Sequence, residues 1–185
     1  MSDGFQSSLD HLLAELKRIE LKIHLQIMNL RQKNNKPGDA IFRGLYISEK
    51  DIDNITGGLG FHQVNSLTQS DNLARDTLDK SFKQLEAEIT EKKGESQLRG
   101  LVLRLYELSQ LFHLSQFDID TLLICILPEI DLKYQKLYAY LQDDVTKKSP
   151  TVDLVLHLLC ESFDDRLQAR QVFSPRKSRR FRRCM

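Results

Sequence analysis

The chain has 185 residues, 41% of them hydrophobic, with 27 Lys and Arg against 26 Asp and Glu; that length admits one domain, or one domain with an extension, and a real core. No Trp, four Pro and eight Gly disfavour a turn-rich β-sandwich, and no apolar run approaches the roughly 18 residues that span a bilayer. Three cysteines (Cys125, Cys160, Cys184) cannot all pair in one chain, and without a signal peptide they read as thiols of a reducing cytoplasm.

The net charge of +1 is unevenly distributed. Arg176, Lys177, Arg179, Arg180, Arg182 and Arg183 crowd into residues 176–183 with no acid among them. Setting those six aside leaves the rest at −5, so the body itself offers no nucleic-acid footprint.

Residues 8–33 predict an amphipathic helix with Ser8 as its N-cap. Leu9, Leu12, Leu16, Ile19, Ile23 and Leu30 fall on heptad a/d spacing, which makes them the candidates for self-association. Leu13, Leu21, Leu25, Ile27 and Met28 widen the stripe, so packing on the chain's own domain is an equal reading. Residues 34–39 (NNKPGD) break the chain. Ser48 and Asp51 resemble a capping box for a short helix over about 49–55. GGLG at 57–60 lacks the lysine and spacing of a phosphate loop and reads as a connection.

A helix over 72–93 follows, with Ala74, Leu78, Phe82, Leu85 and Ile89 as its stripe and Lys92-Lys93-Gly94 as its stop. The next covers 96–113 with Leu98, Leu101, Val102, Leu105, Leu108 and Phe112 inward. Ser115 caps a helix from Gln116 to Leu127, with Asp118 at its N3 position, and Pro128 stops it. Residues 130–142 form another, with Leu132, Leu137 and Leu141 on or near one face. A turn through Pro150 leads to a helix capped by Thr151 or Asp153 that runs through Cys160. The last amphipathic segment spans 163–173. Extended stretches near Val145 and Thr151 leave room for a small β-wing. The fold class is mainly α, organised as an N-terminal amphipathic helix (1–36), a helical domain (40–173) and a basic disordered tail (174–185).

Chemistry-bearing motifs are missing: no G-x-x-x-x-G-K-[ST], G-x-S-x-G, H-E-x-x-H or C-x-x-C occurs. No catalytic residue, cofactor, metal or small-molecule substrate is therefore assigned. His157 and Cys160, three apart with Glu161 adjacent, fall short of the about four donors that zinc takes. Tyr134, Tyr138, Tyr140, Asp143 and Asp144 are the candidate partner surface, since tyrosine offers contact area with a polar tip. The tail RKSRRFRR suits nucleic acid or an anionic membrane.

One segment also carries a family likeness. It holds Leu114-Ser115-x-Phe117, the run Leu122-Leu123-Ile124-Cys125-Ile126-Leu127-Pro128-Glu129, and Asp131-Leu132-x-Tyr134. It continues as Leu137-Tyr138-Ala139-Tyr140-Leu141-Gln142-Asp143-Asp144-Val145-Thr146 and Pro150-Thr151-Val152-Asp153-Leu154, with Phe42-Arg43-Gly44-Leu45-Tyr46-Ile47-Ser48 upstream. With these residues the chain resembles, over about 40–173, a module N-terminal to the ATPase core of bacterial AAA ATPases. Some of those are encoded with phage-tail-like contractile injection systems. The resemblance implies a helical, winged-helix-like domain that regulates, oligomerises or binds protein partners. The family's ATPase motifs have no matching positions here, so no catalytic residue carries over. After Phe173-Ser174-Pro175 the family continues into an apolar stretch, whereas this chain turns to RKSRRFRRCM. That departure predicts a reading frame truncated before the ATPase core, with a stand-alone adaptor as the other explanation. The leading expectation is a non-catalytic, cytoplasmic partner-binding domain of an AAA-type ATPase. The alternative is a winged-helix nucleic-acid-binding regulator that uses the basic tail.

Overall fold

The computed structural model describes residues 4–34 and 70–174. Its helices are α1 (Ser8–Asn34), α2 (Ser70–Leu98), α3 (Arg104–Phe112), α4 (Gln116–Ile130), α5 (Lys133–Leu141), α6 (Val152–Leu159) and α7 (Phe163–Ala169). A 3-10 turn, Arg170–Phe173, follows α7. The predicted short helix over 49–55, the GGLG segment and the cationic run 176–183 lie outside the described residues.

The widened apolar stripe of α1 has a physical counterpart: the helix is covered on two sides. On one side α2 packs antiparallel to it. The Phe5 amide donates to Ser96 Oγ at 2.8 Å at one end of the hairpin, and Arg75 donates to Gln32 Oε1 at 3.3 Å at the other. Between them Lys22 Nζ sits 5.5 Å from the centre of the Phe82 ring. On the other side Leu16, Ile19, Ile23 and Ile27 enter the main core. There they meet Ile119, Leu123, Ile124 and Leu127 of α4, Tyr134, Leu137 and Tyr138 of α5, and Leu154, Val155 and Leu158 of α6. Burying one such Ile or Leu side chain is worth about 1.5–3 kcal/mol, so this face ties α1 to the rest of the fold.

Helix ends follow local chemistry, with corrections to the sequence reading. Ser7, not Ser8, caps α1, its Oγ accepting the Asp10 amide at 3.1 Å. Ser8 Oγ instead accepts the Arg104 amide at 2.9 Å and so caps α3 from a distant part of the chain. Gly94 does not stop α2. The helix passes through it to Leu98 and is terminated by Gly100, whose φ of 72° lies in the left-handed region. The Leu101 amide there reaches Ser96 O and the Gly100 amide reaches Gln97 O, a Schellman motif. The single helix predicted over 96–113 is thus interrupted. Leu98 is 85% exposed rather than inward, and Leu103, in the connection, is buried.

Pro128 does not stop α4 either; the helix continues to Ile130. A proline inside a helix leaves the carbonyl four residues earlier without its amide donor, and that carbonyl belongs to Ile124. The buried Tyr138 hydroxyl donates to Ile124 O at 2.7 Å. A side chain of α5 therefore repairs the gap, and the helix survives its proline. Ser115 and Asp118 form the reciprocal capping box at the start of α4, and Ser162 and Asp165 form a second one at α7.

No strand forms among the described residues, so the β-wing is absent where it was expected. Residues 142–151 are instead gathered into a loop by Gln142. Its Nε2 donates to the carbonyls of Tyr138, Lys147 and Ser149, and its Oε1 accepts the Thr151 hydroxyl at 2.6 Å. Backbone groups near Val145 thus answer to one side chain and to local turns rather than to a partner strand. Thr151 also caps α6, its Oγ1 accepting the Leu154 amide at 3.3 Å.

Candidate partner-binding surface

The polar residues of α1 form a buried belt that periodicity alone did not single out. Arg18, 3% exposed, donates through Nη1 to Asp120 Oδ2 at 3.2 Å and through Nη2 to Oδ1. Its Nε reaches Glu15 Oε2 at 2.8 Å. Gln116 and Lys22 complete the surroundings of Asp120. Burial disfavours the Arg18 cation, but the hydrogen bonds and charge of Asp120 and Glu15 outweigh it and raise its pKa. Burial likewise pushes Glu15 up, and His11 and Arg18 reverse that, leaving its carboxyl below the usual range. One turn on, Glu20 accepts from Lys17, Tyr134 and Lys133, and these contacts overcome its burial and lower its pKa. Each strong acid or base in this belt is spent on another, so the belt clamps α1 to α4 and α5. The signal for it was Asp120: it stands three, four and seven residues before Leu123, Ile124 and Leu127, on the stripe they share.

The candidate tyrosines are largely framework. Tyr134 is buried and donates its hydroxyl to Glu20 Oε1 at 2.8 Å, while Tyr138 is fully buried at the proline of α4. Burial, for Tyr134 together with the Glu20 charge, raises both phenol pKa values. Tyr140 packs partly buried against the core. Asp143 ends α5 in the left-handed region at φ 49°, with its amide on Tyr140 O and the Asp144 amide on Ala139 O. Asp144 accepts from the Thr146 hydroxyl and amide, which lower its pKa. The pair Asp143-Asp144 is thus a helix stop followed by a turn.

The heptad candidates of α1 are divided. Leu16, Ile19 and Ile23 lie in the intramolecular core, Leu12 packs at its edge, Leu30 is half-buried, and Leu9 is 61% exposed. A two-stranded seam through all six would require that core to open. Leu12, Leu16, Ile19 and Ile23 serve this chain's own bundle.

His157 and Cys160 do not converge on a shared ligand position. His157 Nδ1 lies 2.9 Å from the Asp153 carbonyl and 3.3 Å from its carboxylate, and Cys160 forms the C-cap of α6. No group of three His, Cys, Asp or Glu side chains among the described residues is arranged to hold a metal ion. No described helix is long and apolar enough to cross a membrane.

Several large apolar side chains stay open to solvent: Leu9 and Leu13 on α1, Ile130 at the end of α4, Leu132 just before α5, and Phe163 and Leu167 on α7. The last two join Asp153, Leu156, His157, Arg166 and Arg170 around a depression of about 200 Å³. Phe163 and Leu167 were assigned to the last amphipathic segment by spacing, but their exposure could not be read from it.

No curated protein and no solved structure matches the chain. A family model described as "Winged helix domain, variant" matches residues 1–182. A helical domain without a strand among its described residues fits a variant of that fold, and the chain belongs to this winged helix domain family.

Proposed function

We propose that the chain is a non-catalytic docking domain that works with an AAA-type ATPase and binds a protein partner. The observation that carries this reading is a division of labour. The buried groups with chemical potential, Glu15, Arg18, Glu20, Asp120, Tyr134 and Tyr138, are spent on internal hydrogen bonds, while large apolar side chains on α1 and α7 face solvent. Exposed apolar patches on a folded domain mark contact surfaces. The resemblance over 40–173 supplies the ATPase context and the link to contractile injection systems. Adding the full chain to an AAA core of that family should change its hydrolysis rate and its elution volume, while the chain alone hydrolyses no nucleotide. No change in either property, or hydrolysis by the chain alone, refutes the reading.

One observation favours a second reading, nucleic-acid binding: the six cations of 176–183. It requires duplex affinity that falls steeply with salt and is lost when 176–185 are deleted.

A further inference from the structure

The groove between α6 and α7 presents an apolar floor and two cations without anionic partners among the described residues. From α6, Asp153, Leu156 and His157 share one face. From α7 and the turn after it, Phe163, Arg166, Leu167 and Arg170 recur at i, i+3, i+4 and i+7. Leu156 is buried and forms the floor, while Phe163 is 69% and Leu167 59% exposed along the side. The Arg166 guanidinium lies 6.0 Å from the Phe163 ring centre. Among the described residues neither Arg166 nor Arg170 makes an ion pair or a side-chain hydrogen bond, and Arg166 Nε is shielded from solvent with no acceptor. The acid nearest the floor, Asp153, is already engaged with His157.

Resting on the partner-docking reading above, we infer that this groove receives an amphipathic helix of a partner protein, with apolar residues against Phe163 and Leu167 and carboxylates against Arg166 and Arg170. Charge complementarity selects the occupant. Guanidinium groups pair bidentately with carboxylates, and an i, i+3, i+4, i+7 face about 10 Å long suits two turns of a facing helix. Glu161, Asp164 and Asp165 are exposed beside the groove but do not line it. An extended polyanion such as a duplex or an anionic bilayer would meet those acids together with the arginines. Discrete carboxylates on an apolar helix can be set against Arg166 and Arg170, leaving Asp153 to His157 and the flanking acids to solvent.

The test uses the full chain, ¹⁵N-labelled, titrated with two synthetic amphipathic helical peptides. Both carry Leu at i and i+4. One has Glu and the other Lys at i+3 and i+7. The Glu peptide should shift amides within 153–170 saturably, and the Lys peptide should not. R166E/R170E should weaken the Glu peptide at least tenfold, because the charge-assisted bonds are lost and like charges face each other. F163S, which leaves both arginines, should also weaken it, and far-UV circular dichroism checks that each variant is folded. Equal binding of the two peptides, shifts outside 153–170, or unchanged affinity in folded R166E/R170E overturns the inference. So does a stronger response of the same amides to a short DNA duplex or to phosphatidylserine vesicles, or a dimer formed through α7. Peptide selectivity without any effect on an AAA core refutes the ATPase reading alone. An effect on the core without peptide selectivity refutes the groove alone.

Discussion

Replacing Tyr138 by Phe keeps the ring in the core and removes only the hydroxyl that satisfies Ile124 O. The carbonyl cannot recover an amide donor, because the residue four positions on is Pro128. A buried acceptor left without a partner costs about 1–3 kcal/mol. With a urea slope of about 1–3 kcal/mol/M, a loss of about 2 kcal/mol moves the midpoint by roughly 1 M, well outside measurement error. The decisive arm is Pro128→Ala. The alanine brings an N–H that can bond to Ile124 O in the ordinary helical pattern, so Y138F should cost clearly less in the P128A background than in the parent. A double-mutant cycle in urea, followed by circular dichroism at the helical minimum, then yields a coupling on the order of 1 kcal/mol. An equal cost of Y138F in both backgrounds refutes the claim that the tyrosine repairs the proline gap.

Two further outcomes test the buried belt. Arg18→Met should destabilise by about 3–5 kcal/mol, because it leaves Asp120 and Glu15 buried with too little positive charge. R18M/D120L should recover part of that loss, and a single-mutant cost below about 1 kcal/mol in thermal or urea unfolding would show that the cluster is solvated. The second outcome is a pH dependence. Burial holds the pKa of His24 down at about 4, against 6.5 for a free side chain, with Glu20 opposing and the Lys17 and Lys133 charges assisting. The unfolded chain therefore binds the extra proton first. Stability contributed by neutral His24 is complete above about pH 6.5 and is lost as pH falls toward 4, at up to about 1.4 kcal/mol per pH unit. Glu15 and Glu20, with lowered pKa values, lose their contributions below their free value of 4.5, so His24 can be isolated between pH 6.5 and 4.5. His24→Leu should flatten the unfolding midpoint across that interval, and an unchanged slope would refute the assignment.

Some features could be read directly because neighbouring residues decide them. Ser115 with Asp118 is a cap built within three residues, and the structure bears it out; of Thr151 and Asp153, it is Thr151 that caps α6. The stripe of Leu78, Phe82, Leu85 and Ile89 faces inward as its spacing implied, with Leu78 and Ile89 buried and the others partly so. Other local signals misled because a distant group overrode them. Lys92-Lys93-Gly94 has the composition of a stop, yet glycine costs an α-helix only about 1 kcal/mol, and packing on α1 carries α2 past it. The groove residues were legible as an amphipathic segment, but spacing cannot say whether a stripe meets the core or water.

The amino-acid sequence by itself determined a helical chain, the positions of most helices, the cap of α4, and the absence of a phosphate-loop motif. Each of these depends on periodicity or on groups a few bonds apart. Tertiary structure alone decided that Leu16, Ile19, Ile23 and Ile27 of α1 pack into this chain's own core, against residues more than ninety positions away. It also decided that Pro128 lies inside a helix, that the tyrosines are framework, and that Arg166 and Arg170 face a groove without anionic partners among the described residues. The reason is the same in every case: burial and pairing are properties of segments brought together, and no single segment contains them.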